Sequence, residues 1–317
     1  MLDIISVGPG EAVLLTDDAK QAMDHADAVW CAARHAVLVP PEKARPLSPL
    51  EGAIEQMRLS SDAGQRAAVL VSGDAGMYSL LEMLKRKIGG EYLRVHPGVS
   101  ALQLFAARLG VSWQDAKILS AHGRALSESA LCHAVRTHRQ TFCFLDAAHN
   151  PAWVRESLNL GGLENVRLFV GERLSYPDER TEAYDPDATY DPLCMAYIEN
   201  DAPESGLPPV GLSDEAFIRG KTPMTKRDVR ALVVSALHLK PNGVVWDIGA
   251  GTGSVSVECA RQCPLGEAYA VEMKDEALDL IRRNAERFHA LNLRVVPGRA
   301  PDALAGLPAP DAVFLGG

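Results

Sequence analysis

The chain has 317 residues, 47% hydrophobic and 23% charged, a composition that excludes a disordered or fibrous protein and suggests about two domains. Lys and Arg number 32 against 41 Asp and Glu, and the net charge of −9 lacks the broad basic field of a nucleic-acid binder. No apolar run approaches the roughly 20 residues of a membrane span, Met1 to Val7 has no basic leader, and the six cysteines contain no Cys-x-x-Cys pair, so a cytoplasmic protein with buried thiols and no metal site is expected.

In chain order, Leu2 to Val7 reads as a buried strand broken at Gly8-Pro9-Gly10. A helix opens at Thr16 and runs to about His25, Ala28 to Cys31 reads as a strand, and the proline-rich stretch 40–49 as loop. Ala67 to Val71 is a strand stopped by Ser72-Gly73-Asp74-Ala75-Gly76, with a helix from about Tyr78 to Lys87. Tyr92 to Val95 is a strand stopped by Pro97-Gly98, and Ser100 caps a helix through Leu109.

A second series places strands at Ile118 to Ala121, Thr141 to Leu145 and Val166 to Val170, helices at Glu128 to His138 and Ala152 to Leu160, and a closing strand at Leu193 to Ile198. Pro203, Gly206, Pro208 and Pro209 mark a linker. Beyond it, Thr225-x-x-Asp228 reads as a capping box for a helix through Leu239. Strands follow at Val244 to Ile248, Ala268 to Val271, Leu293 to Val296 and Ala312 to Leu315, with helices at Ser254 to Gln262 and Asp275 to His289. Alternating strands and helices define an α/β protein with largely parallel sheets.

The strongest local signal is Asp247-Ile248-Gly249-Ala250-Gly251-Thr252-Gly253, at a strand-to-helix turn. Glycines at alternate positions let backbone pass close under a ligand, where a Cβ would clash. Glu272, at the end of the next strand, stands where an acidic side chain reaches ribose hydroxyls. A dinucleotide site requires Gly-x-Gly-x-x-Gly, and Ser254 breaks that spacing. The pattern instead resembles motif I of Rossmann-like S-adenosylmethionine (SAM) methyltransferases. That resemblance implies SAM contacts from Asp247, Gly249, Ala250, Gly251, Thr252, Gly253 and Glu272, and from Ala300 in the loop after the third strand.

Three N-terminal loops, Gly8-Pro9-Gly10, Gly73 to Tyr78 and Pro97 to Ala101, each follow a strand and should gather at the C-terminal edge of one parallel sheet, where open α/β folds bind ligands. In this order they resemble the tetrapyrrole (corrin and porphyrin) methylase family, over roughly Met1 to Asn200, with Ala75 where the family usually has Pro. Ser120-Ala121-His122-Gly123-Arg124 and Gly171 to Arg180 resemble the branch that methylates a late cobalamin precursor. Phe217 to Lys226 is similar to the start of that pathway's second, decarboxylating methyltransferase module.

The resemblance implies two SAM sites. The first would use Gly8, Pro9, Gly73, Asp74, Met77, Tyr78, Ser100, Ala101, Leu145 and Leu174, and the second would add Thr225. It implies a tetrapyrrole methylase domain at 1–200 (subdomains about 1–113 and 114–200), a linker at 201–212 and a partial Rossmann-like SAM methyltransferase domain at 213–317. The resembled module continues past its fourth strand, so an incomplete second domain with a bare sheet edge is expected. Implied too are two methylations at meso carbons, loss of carbon dioxide from an acetate side chain, and a homo-oligomer, dimer or tetramer, without nucleic-acid or membrane partners.

An anionic tetrapyrrole substrate calls for arginine and lysine. Arg173, Arg180 and the cluster Arg219, Lys221, Lys226 and Arg227 are available, and His122 and Arg124 are candidates for catalysis. Two other readings remain open: an enzyme of the same fold acting on another substrate, and a SAM-binding regulatory protein without turnover.

Overall fold

A computed structural model describes residues 1–123 and 125–316. Its first sheet is built from β1 (Leu2–Ser6), β2 (Ala28–Cys31), β3 (Ala44–Pro46), β4 (Ala67–Val71) and β5 (Leu93–His96), in the order β3-β2-β4-β1-β5. All four pairings are parallel. β1 and β4 are buried at every position, as continuous apolar runs must be when helices cover both faces. Alternation divides the side chains: Leu2, Ile4 and Val69 pack with Ile54, Met57 and Leu84, while Ile5, Val7 and Leu70 pack with Met23. The helices are α1 (Asp17–His25), α2 (Leu50–Asp62), α3 (Leu81–Ile88) and α4 (Ala101–Leu109).

The second sheet comprises β6 (Lys117–Ser120), β7 (Gln140–Phe144), β8 (Arg167–Glu172), β9 (Arg180–Ala183) and β10 (Cys194–Glu199), in the order β6-β7-β10-β8-β9, with α5 (Glu128–Thr137) and α6 (Pro151–Leu160). β9 is antiparallel to β8. The segment expected to close this sheet is therefore its central strand, β10, buried over Cys194 to Ile198. The third sheet, order β13-β12-β11-β14, is formed by β11 (Val244–Ile248), β12 (Glu267–Glu272), β13 (Leu293–Pro297) and β14 (Ala312–Leu315), with α7 (Arg227–Ala236), α8 (Ser254–Gln262) and α9 (Asp275–Arg287). Its pairings are all parallel.

By compactness the chain forms two units: Met1–Asp115 with Phe144–Ala147 and Phe169–Tyr197, and Ala116–Cys143 with Ala148–Leu168 and Ile198–Gly317. Three local expectations change. α2 and β3 arise in and after the stretch read as loop. α3 begins at Leu81 rather than Tyr78, whose φ of 49° is left-handed. α7 begins at Arg227 with Lys226 as its cap, so Thr225 lies one residue too early and the expected capping box does not form. All six cysteines are free and buried. Among the described residues, no helix is long and apolar enough to cross a membrane.

Candidate functional site

In the first unit the parallel register carries three strand ends to one edge of the sheet. Gly8 and Gly73 join across it: the Gly73 N–H donates to the Gly8 carbonyl at 2.7 Å, and the Gly8 N–H to the Gly73 carbonyl at 3.2 Å. Both glycines have φ near 70°. The Asp74 carboxylate accepts from the Gly76 N–H at 2.8 Å and from the Gly98 N–H at 3.2 Å, tying the second loop to the third. The Ala75 N–H donates to Ser6 Oγ at 2.9 Å, which bonds the second loop to β1 without the proline usual there. At Gly98 a Cβ would come within 2.7 Å of Ser6 Cβ and 2.9 Å of the Ser6 carbonyl, so only glycine fits.

Ser100 caps α4 in a full capping box with Gln103, which occupies its hydroxyl locally. Ser100 and Ala101 lie beside Gly73, and the Tyr78 ring meets Phe144 edge-on at 5.6 Å, next to Leu145. Pro9, Leu145 and Leu174 are buried, and Met77 is half-buried. Segment 173–180 is bound to the same loops: Ser175 Oγ accepts from the Glu11 N–H at 3.3 Å, and the Tyr176 hydroxyl fills the space a Cβ on Gly10 would need. Arg173 and Arg180, expected to meet substrate, are engaged within the unit. Arg173 pairs with Asp178 at 2.6 Å and Arg180 with Glu172 at 2.8 Å.

In the second unit Gly249, Gly251 and Gly253 have φ of 77°, 57° and 75°, and the loop leads directly into α8. The Glu272 carboxylate, 8% exposed, sits against this loop. Oε2 accepts from the Gly251 N–H at 3.0 Å, and Oε1 from the Met273 and Lys274 N–H groups at 2.8 and 3.0 Å. The Ala300 loop is brought alongside, since the Gly298 N–H donates to the Glu272 carbonyl at 2.9 Å.

Asp247, 2% exposed, accepts from the Ser256 hydroxyl on one oxygen. Burial, opposed in part by that bond and aided by the nearby Glu272 charge, pushes its carboxyl up to about 6. Asp247 Oδ1 and Thr252 Oγ1 are buried with no hydrogen-bond partner among the described residues. A glycine cradle bordered by two carboxylates, with an acceptor and a hydroxyl unfilled, fits a cationic ligand that also carries hydrogen-bonding groups.

Two residues that hold this cradle were not singled out from the sequence. Asn284 Nδ2 donates to the carbonyls of Thr252 and Ile218 at 2.9 and 3.0 Å, and its Oδ1 accepts from the Ile218 N–H. Arg230, fully buried, donates to Glu258 at 2.6 Å, to Asp214 at 3.2 Å and to the Thr225 and Leu212 carbonyls. The segment they secure reaches the cradle, for a Cβ on Gly251 would lie 3.2 Å from the Pro223 carbonyl. Thr225 itself is half-buried in that segment. Arg219, Lys221, Lys226 and Arg227 are exposed, as is His122, a turn residue after β6. Arg124 lies outside the described residues.

Glu272→Ala removes the anchor of the Gly251, Met273 and Lys274 N–H groups and, if the carboxylate holds the ribose as the sequence pattern implies, the acceptor for its hydroxyls as well. Charge-assisted bonds contribute about 1.5–3 kcal/mol, so SAM affinity at this site is expected to fall about ten- to a hundredfold. Unchanged calorimetric affinity would remove Glu272 from the cofactor site.

Glycine loops at the C-terminal ends of parallel strands are the setting of a SAM-dependent methyltransferase. A family model described as tetrapyrrole (corrin/porphyrin) methylases matches residues 1–185, and one described as a precorrin methyltransferase domain matches 215–317. The precorrin-6Y C(5,15)-methyltransferase [decarboxylating] of a Sinorhizobium species is 34% identical over all of this chain and 78% of its own length. The chain thus belongs to the tetrapyrrole methylases and, among them, to the decarboxylating precorrin-6Y C(5,15)-methyltransferase family.

The Salmonella typhimurium cobalt-precorrin-6B C(15)-methyltransferase (decarboxylating) is 46% identical over 33% of this chain and 55% of that protein. The crystal structure of the methyltransferase CobJ covers 63% of this chain and 94% of its own at a TM-score of 0.53 and 20% identity, a likeness of fold alone.

Proposed function

We propose that the chain methylates two meso carbons of a precorrin and removes carbon dioxide from one acetate side chain, in cobalamin biosynthesis, using two SAM sites. Similarity to the Sinorhizobium enzyme along the full chain supports the overall reaction. The observation that carries the second site is the cradle at Gly249–Gly253, with Asp247 Oδ1 and Thr252 Oγ1 unfilled beside Glu272. The proposed division is a first methylating domain at 1–200, a linker at 201–212 and a second domain at 213–317 that methylates and decarboxylates. The Salmonella enzyme named for C(15) methylation with decarboxylation supports that assignment, being similar to a third of the chain.

SAM supplies a methyl group already made electrophilic by its sulfonium. The protein's work is therefore placement of a nucleophilic carbon in line with that methyl, and exclusion of water. In the first site Asp74 fixes the second and third loops to each other, so that their backbone can line a cofactor. In the second, Asp247 and Glu272 offer negative charge to a cation, and glycine at 249, 251 and 253 lets backbone approach it. Burial raises the Asp247 carboxyl to about 6, still below neutrality, so it is mostly ionised at pH 7. No nucleophilic side chain is required.

Incubation with the reduced precorrin-6 substrate and SAM, read by mass spectrometry, is expected to show two methyl groups gained and one carbon dioxide lost. Calorimetry with SAM alone is expected to give two equivalents, falling to one in Gly251→Phe. A single equivalent that survives Gly251→Phe would refute the second site. Cofactor binding without turnover would favour a regulatory protein.

A further inference from the structure

We propose that Arg34 binds a carboxylate side chain of the tetrapyrrole in the first methyl transfer, oriented by Ser72 and by the buried imidazole of His35. The inference rests on the function proposed above and adds a substrate-binding residue to it. Arg34 and His35 lie in a short 3-10 turn, Ala33–Leu38, that follows β2. β2 pairs with β4, so this turn emerges beside Ser72, the residue between β4 and Gly73. Gly73 is the glycine joined to Gly8 in the first cofactor loop system.

The three side chains have one consistent proton assignment. Arg34 Nη2 donates to Ser72 Oγ at 2.6 Å, and Arg34 Nε donates to His35 Nε2 at 3.2 Å. A guanidinium can only donate, so His35 Nε2 is an acceptor and its proton is on Nδ1. The Ser72 hydroxyl then donates to the same Nε2, at 2.8 Å, and the single lone pair of that nitrogen is shared with Arg34 Nε in a bifurcated arrangement in which the shorter Ser72 bond dominates. His35 is 1% exposed, and burial together with the Arg34 charge holds its imidazole down to about 4, neutral under physiological conditions. His35 Nδ1 has no partner among the described residues, so only Ser72 and Arg34 fix the ring through hydrogen bonds.

Arg34 itself is exposed, and no carboxylate of the described residues lies within ion-pair distance of it. In the same unit Arg58, Arg94, Arg108, Arg173 and Arg180 are paired with Glu55, Asp3, Glu179, Asp178 and Glu172, whereas Arg45, Arg66 and Arg86 also lack a carboxylate partner among the described residues; of these unpaired arginines Arg34 alone is held by side chains, those of Ser72 and His35. A guanidinium held on one edge by two neutral groups, with its other edge unpaired, is preorganised for an anion. In a chain of net charge −9, such a residue beside a cofactor loop matches a substrate carrying several carboxylates.

The test uses the full chain with the second cofactor site blocked by Gly251→Phe, the reduced precorrin-6 substrate, and mass-spectrometric initial rates. Adding Arg34→Gln is expected to raise the tetrapyrrole KM about ten- to a hundredfold, the loss of one charge-assisted pair, with the SAM dissociation constant unchanged. Arg34→Lys is expected to recover part of the loss, and Ser72→Ala to raise the same KM less and to add nothing to Arg34→Gln. An unchanged tetrapyrrole KM in Arg34→Gln overturns the inference. So does a parallel rise in the SAM dissociation constant, which would mean that Arg34 acts through the cofactor loop. If the Gly251→Phe parent methylates no precorrin while still binding SAM, the failure belongs to the functional reading instead.

Discussion

Replacing Arg230 by Met is expected to destabilise the second unit by about 3–5 kcal/mol, the cost of leaving a buried charge without its partner. Arg230 is fully buried, and its guanidinium lies 4.6 Å from the Phe217 ring centre while its donors reach Glu258, Asp214 and two backbone carbonyls. Glu258 in turn accepts from the Gly211 and Leu212 N–H groups at 2.6 and 3.0 Å. The pair therefore fastens the segment before α7 to α8. Against a typical total stability of about 5–15 kcal/mol, the loss is large.

Buried ion pairs can often be exchanged for apolar residues at little cost. Here the double variant Arg230→Met, Glu258→Met is expected to stay at least as unstable as the single one, because the Gly211 and Leu212 N–H groups lose their acceptor too. Scanning calorimetry reads both variants. Recovery of the wild-type melt in the double variant would show a replaceable pair rather than the hub of this segment. Because the same segment reaches Gly251, SAM binding at the second site is expected to weaken in Arg230→Met.

Arg230 and Asn284 also show where sequence reasoning stopped. Each occupies an apolar stripe of its helix: Arg230 precedes Val234 and Leu237 at helical spacing, and Asn284 follows Ala277 and Ile281. A polar residue on such a stripe was the available signal, and it reads as surface charge until burial is known. The glycine loops were legible because their constraint is local: a left-handed φ or a close approach needs glycine whatever surrounds it. Ser100 was legible for the same reason, since a capping box closes within four residues.

α2 was missed because its cap is Pro49, which offers no side-chain bond, and its stripe of Ala53, Ile54 and Met57 is diluted by Gly52 and Ser60. Burial against the first sheet, not propensity, makes it a helix. β9, Arg-Thr-Glu-Ala, has no apolar alternation at all and exists through antiparallel pairing with β8. Its Arg180 therefore looked free for substrate, while the register sets it directly opposite Glu172.

Asp247→Asn is expected to make the ligand-free protein more stable above pH 7 while weakening SAM binding at the second site. The folded-state value of about 6 lies above the ordinary 3.8. A raised carboxyl favours the folded state fully below pH 3.8, and this contribution is lost as pH rises through about 6. Above pH 7 the ionised side chain is buried with one oxygen unpartnered, at a cost on the order of 3 kcal/mol for a shift of that size.

Asn keeps the shape and removes the charge, so stability near pH 8 is expected to rise by about 1–3 kcal/mol, with a flatter dependence between pH 4 and 7. The charge that burdens the empty fold is the one offered to a cation. A cationic ligand stabilises ionised Asp247 and lowers its value, so wild-type SAM affinity at this site is expected to fall as pH drops below about 6. Proton release on binding should appear there, and both effects should vanish in Asp247→Asn. Thermal melts at pH 5 and 8 and calorimetry in two buffers of different ionisation enthalpy measure each part. An Asn variant less stable than wild type at pH 8 would mean that the carboxylate serves the fold, and pH-independent SAM binding would mean that it does not serve the cofactor.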